Sequence, residues 1–98
     1  MKSSEYMNDI KILIDAHGVE ETLTICEEEA SELIKALTKY KRARSHSEQM
    51  RRKGEAMEEM ADVIICIDML MTLFGITERE LEKEIKKKME RNLKRIYN

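Results

Sequence analysis

Glu29 and Glu32 lie three apart in CEEEASELIKAL (26–37), and Glu59 and Asp62 lie three apart in EEMADVIICIDML (58–70). On a helix, side chains at i and i+3 share a face. Each pair borders apolar residues, Cys26 and Leu33 in the first stretch and Cys66 in the second. If the two helices pack antiparallel, four carboxylates converge from facing sides. Left bare, they repel one another and some take up protons. A divalent cation relieves that repulsion, and oxygen donors without a histidine or cysteine favour magnesium or manganese over zinc. A di-iron carboxylate bundle fits poorly: it needs Glu-x-x-His, and neither His17 nor His46 completes one.

Carboxylates also have ordinary uses. Glu58 and Glu59 fall near the expected start of a helix, where acids meet the positive end of its dipole. Asp68 interrupts the apolar run VIICIDML and reads as a polar partner inside an assembly.

The elements that must position these acids follow from periodicity. Tyr6, Ile10, Leu13 and Ile14 predict a short helix over about 5–16, ended by His17-Gly18. Leu23, Cys26, Ala30, Leu33, Ile34 and Leu37 predict a second helix over about 19–41. Residues 42–53 lose that pattern, and Ser45, His46, Ser47 and Gly54 favour a connection or a frayed end. A third helix is expected over about 55–74, stopping at Gly75. The fourth starts near Thr77, where Thr77 and Glu80 have capping-box spacing, with Leu81, Ile85, Met89, Leu93 and Ile96 as its stripe. From Met60 to Phe74 the third helix is apolar on nearly every side, which a chain this small can hardly cover. Another copy of the chain is the expected cover. The fold class is therefore all-α: a bundle of about four helices with long antiparallel central helices, assembled as an oligomer.

Ninety-eight residues make one domain, spanning 1–98. A composition 42% apolar and 39% charged, without proline, suits a helical bundle better than a sheet or a disordered tail. Cys26 and Cys66 sit inside apolar patterns and read as buried free thiols. No secretory h-region is visible, and the longest nearly apolar stretch, 63–74, falls short of the roughly 20 residues a span needs. A cytoplasmic protein without membrane contact is expected. Charge is uneven: residues 39–53 hold seven cations against Glu48 alone. Within it, KRARSHSEQMRRK (41–53) reads as solvated surface, as a segment folding over bound triphosphate, or as a nonspecific nucleic-acid contact, the last weakened by the lack of aromatic platforms. Nucleic acid is not an expected partner.

The pair CEEEASELIKAL and EEMADVIICIDML resembles the MazG-like nucleotide pyrophosphohydrolases, the all-α NTP pyrophosphatases, whose signature is EExxE, a spacer, then ExxD. Here it stands as Glu28-Glu29-Ala30-Ser31-Glu32 and Glu59-Met60-Ala61-Asp62. The resemblance covers roughly 17–96 and extends to Lys88 and Asn92, four apart, with Arg95 beyond. One departure is Glu27, where many relatives carry an apolar residue. The resemblance implies a single NTP pyrophosphatase-like domain that hydrolyses nucleoside triphosphates (NTP or dNTP) between the α and β phosphates. It implies Mg2+, with Mn2+ as a substitute, held by Glu29, Glu32, Glu59 and Asp62, with Glu28 as a further acid or water-positioning base. Lys88, Asn92 and Arg95 would bind substrate, and the partner copies would make a homodimer or homotetramer. His17 and Tyr40 are candidates to approach a nucleobase. The opposing reading is a non-enzymatic helical regulator that dimerises through the third helix.

Overall fold

The computed structural model describes residues 3–97. A 3-10 turn at Ser3–Tyr6 leads into α1 (Met7–Lys41), followed by α2 (His46–Phe74) and α3 (Glu78–Tyr97). All regular structure among the described residues is helical. Among the described residues there are three α-helices rather than about four. The segments expected as two helices, 5–16 and 19–41, run directly into one another as α1, and the break expected at His17-Gly18 is present as a non-helical kink at Gly18. Gly18 alone absorbs the bend, at φ 80° and ψ 172°, a backbone region essentially reserved for glycine.

The bend leaves a local trace. Thr24, Thr38 and Thr72 each donate their hydroxyl to the carbonyl four residues back. Thr22, whose residue at i−4 is Gly18, is wholly buried and its hydroxyl has no partner.

The second correction concerns 46–53, which are helical rather than a connection. Ser45 stays extended and its hydroxyl accepts the Glu48 N–H at 3.1 Å, while the Glu48 carboxylate accepts the Arg44 N–H at 3.2 Å. The serine that suggested a loop is thus the cap that starts α2. Gly54 sits inside the helix, a position that costs about 1 kcal/mol relative to alanine without breaking it.

The end of α2 follows expectation. Gly75 adopts φ 68°, ψ 31°; its N–H reaches the Thr72 carbonyl at 3.4 Å, and Ile76 N–H reaches Met71 at 2.9 Å. This is a Schellman closure. A Cβ at Gly75 would meet nothing within 4 Å, so the cost of Gly75→Ala is purely backbone strain. Urea denaturation should show a loss of about 1–2 kcal/mol; an unchanged midpoint would contradict the left-handed cap. The expected capping box also forms. Glu80 N–H donates to the Thr77 hydroxyl at 3.1 Å, and Thr77 N–H donates to the Glu80 carboxylate at 3.0 Å. Those bonds from Thr77 hold the Glu80 carboxyl below its usual range.

The core lies between α1 and α2. Ile10, Cys66 and Met69 are buried together, with Ile14, Ile25 and Cys26 packed against them. The Cys26 thiol donates to the Cys66 carbonyl at 3.7 Å. Farther along α1, Ala36 lines a cleft together with Glu55 of α2. Both cysteines are free, and burial first, then Cys26, pushes the Cys66 thiol up to about 12, so it is inert at neutral pH.

Little else is covered. α3 has no buried residue and departs from α2 at 118°. Its stripe residues Ile85, Met89, Leu93 and Ile96 are exposed, as are Ile34 and Leu37 of α1 and Met57 and Met60 of α2. The radius of gyration is 16.3 Å, against about 13 Å for a compact domain of about 100 residues. The accessible surface is 8075 Å², whereas a compact monomer of this mass exposes about 5,800 Å². Among the described residues, no single helix is long and apolar enough to cross a membrane.

Candidate metal centre and its flanking clefts

One turn from Cys26, α1 presents Glu29 toward the face of α2 that carries Glu59 and Asp62. Carboxylate oxygens of these three side chains lie within 4.8 Å of one another. Glu29 and Glu59 are half-buried and Asp62 is exposed, so the group opens to solvent on one side. Partial burial raises the Glu29 carboxyl above its ordinary value; the Asp62 charge and hydrogen bond, then Glu59 and Glu32, push in the same direction. Like charges this close suit a bound cation. The donor set is all oxygen, which fits magnesium or manganese.

The fourth expected ligand behaves differently. Glu32 accepts an ion pair from Lys35 at 3.2 Å and lies outside the three-carboxylate group, although its charge still reaches Glu29. Glu28 is exposed and is not a member either. Lys88, Asn92 and Arg95 are exposed on α3. The beginning of that helix, Glu78 to Ile85, shares a cleft with Ile67, Asp68 and Met71 of α2. Lys88, Asn92 and Arg95 line neither of the clefts beside the acids.

Two small clefts flank the acids. On one side, Leu13, His17, Ile25 and Ile65 line about 150 Å³ together with Glu29 and Asp62. His17 is held there by its Nδ1 contact with Glu21 at 3.0 Å. On the other side, Lys35, Lys39, Ala36, Glu55 and Glu58 line about 210 Å³ together with Glu32 and Glu59. Arg52 donates to Glu55 at 3.0 Å and holds that carboxyl below its usual range. The sequence reading did not single out Lys35 and Lys39. Their signal was present: they follow Glu32 at three and seven residues, on the same helix face. Tyr40 is exposed toward the far end of α1, and His46 is exposed at the start of α2, so only His17 borders the acids.

Asp68, the carboxylate inside the apolar run, lies away from this group. It is half-buried where α2 meets α3, in a larger cleft of about 440 Å³ with Met7, Ile10, Met71 and Glu78. Burial, then the Glu78 charge, raises its carboxyl.

Residues 10–89 match the family of phosphoribosyl-ATP pyrophosphohydrolases. No curated protein and no solved structure matches the chain. The match contains all the paired acids and Lys88 but ends before Asn92 and Arg95. It bears out the resemblance drawn from the motifs at the level of the all-α NTP pyrophosphohydrolases and replaces the family within them. The MazG-like enzymes are a related but distinct branch, and EExxE with ExxD spacing reflects a carboxylate geometry that does not tell the two apart. The chain belongs to the phosphoribosyl-ATP pyrophosphohydrolase family, within the all-α NTP pyrophosphohydrolase superfamily.

Proposed function

We propose that this protein is a magnesium-dependent pyrophosphohydrolase that converts a nucleoside triphosphate to the monophosphate and pyrophosphate. The observation that carries the reading is the convergence of Glu29, Glu59 and Asp62 within 4.8 Å, in a chain of a pyrophosphohydrolase family. Those three side chains hold the cation, with manganese as a substitute. Glu32 joins them when a ligand draws it from its exposed pair with Lys35, a contact worth little in water. Glu28 takes an outer position, orienting water. A divalent ion there supplies an activated water and neutralises charge on the phosphates. Water adds at the α phosphorus, the bond to the α–β bridging oxygen breaks, and pyrophosphate leaves with that oxygen.

The central helices run antiparallel in this reading, and the chain works as a homodimer or homotetramer. The excess surface, about 2,200 Å² per chain by the comparison above, is in the range that permanent subunit interfaces bury. Assembly also provides the route by which Lys88, Asn92 and Arg95 of α3 come to serve a site. Substrates to test include NTPs, dNTPs and phosphoribosyl-ATP, the triphosphate that gives the family its name. With magnesium present, monophosphate and pyrophosphate should appear in equal amounts from at least one of them. Release of orthophosphate alone, or no product from folded protein with either magnesium or manganese, would reject the reading.

A further inference from the structure

The two clefts beside the acids differ in chemistry, and that difference gives the site a direction. Toward the Gly18 bend, the lining is Leu13, Ile25 and Ile65 with a single imidazole, His17. Toward the C-terminal end of α1, the lining carries two ammonium groups one turn apart, Lys35 and Lys39. Four acids share that second cleft, but three have other engagements. Glu55 is paired with Arg52, Glu32 with Lys35, and Glu59 belongs to the carboxylate group. Among the described residues, no ion pair ties up Lys39. Lys35 and Lys39 stand about 9 and 15 Å along the helix axis from Glu29, and their stems are long enough to reach back toward it.

Resting on the proposed pyrophosphohydrolase reading, we infer that the nucleotide lies along α1 in one orientation. Its nucleoside occupies the slot of Leu13, His17, Ile25 and Ile65, and the leaving pyrophosphate points toward Lys35 and Lys39. The slot is mostly apolar, with His17 and the Glu29 and Asp62 carboxylates as its polar edges, which matches a base or ribose and offers two phosphates no lysine or arginine. The lysine cleft is the reverse. The scissile α–β bond then sits beside Glu29, Glu59 and Asp62, between the two. Lys35 is released for this role as Glu32 turns to the cation, so one ligand-driven exchange serves both ends of the phosphate chain.

The orientation is tested with two ligands that each report one end. Binding of inorganic pyrophosphate and of nucleoside monophosphate is measured by calorimetry with magnesium, on the full chain, alongside KM for the triphosphate. The double variant K35Q/K39Q should weaken pyrophosphate by about tenfold or more, the scale of losing a charge-assisted bond, with monophosphate within about twofold. L13S should show the opposite pattern, and H17A serves the same purpose if L13S fails to fold by circular dichroism. The crossed pattern supports the orientation. A reversed pattern, equal losses of both ligands, or wild-type binding in all folded variants overturns it while wild-type protein still hydrolyses triphosphate. If wild-type protein hydrolyses no triphosphate, the functional reading itself has failed, which is a separate outcome.

Discussion

Replacing Glu59 with glutamine is expected to lower turnover by at least about a hundredfold while leaving the metal-free fold at least as stable. Changes in the shell around a metal's ligands already cost about 10–100-fold, and Glu59 is proposed as a ligand itself. The stability half of the prediction comes from the repulsion. Burial first, then Asp62 and after it Glu59, raise the Glu29 carboxyl, so removing the Glu59 charge relieves part of the repulsion and creates none. The sign for pH follows. A carboxyl whose folded value is raised contributes stability that is fully present below its unfolded value, near 4.5, and lost as pH rises through the folded value. Metal-free wild-type protein should therefore lose stability relative to E59Q as pH climbs past about 4.5 toward neutrality. Saturating magnesium should restore it in the wild type, by about 2.7 kcal/mol at 100 times the dissociation constant, with little effect on E59Q. Thermal melts across pH, with and without magnesium, read all of this. Wild-type turnover in E59Q, or equal magnesium stabilisation of both proteins, would remove Glu59 from the site.

The double substitution I85D/L93D is expected to abolish assembly and unfold α3. Both side chains belong to a helix with no buried residue. Twenty residues with this much charge gain little from helix propensity alone, so packing must supply the rest. Covering one Ile or Leu contributes about 1.5–3 kcal/mol, and the two together are comparable with the lower end of a small domain's whole stability. Light scattering should report an oligomer for the wild type and a monomer for the variant, whose far-ultraviolet circular dichroism should also weaken. A wild-type monomer with full helicity, or a variant that still assembles, would show that something other than a second copy covers this face. Loss of hydrolysis with assembly would further tie Lys88, Asn92 and Arg95 to a site formed between copies.

Local chemistry was legible in the sequence. Thr77 with Glu80 announced the start of α3, and Gly75 the end of α2, because caps are set by side chains within a few residues of the backbone they satisfy. The i,i+3 spacing of the acids set which of them share a face, and three of the four expected ligands do meet. The misreadings have local causes as well. Ser45 offers the same hydroxyl to a loop or to a cap, and only the partner three residues on, Glu48, decides between them. Gly18 does break the helix as expected, but the break is one residue long, so the two stretches join without a connection.

What the sequence by itself determined, then, was the helical class, the caps at Gly75 and Thr77, and which acids share a face on each helix, since each depends on contacts spanning about five residues or fewer. Only the tertiary structure decided that Glu29 meets Glu59 and Asp62 while Glu32 stays outside the group, that the clefts beside the acids are lined without Lys88, Asn92 or Arg95, and that an apolar cleft and a lysine cleft lie on opposite sides of the acids. Those outcomes depend on where α2 and α3 sit relative to α1, and helical periodicity specifies which face is apolar without saying which neighbour covers it.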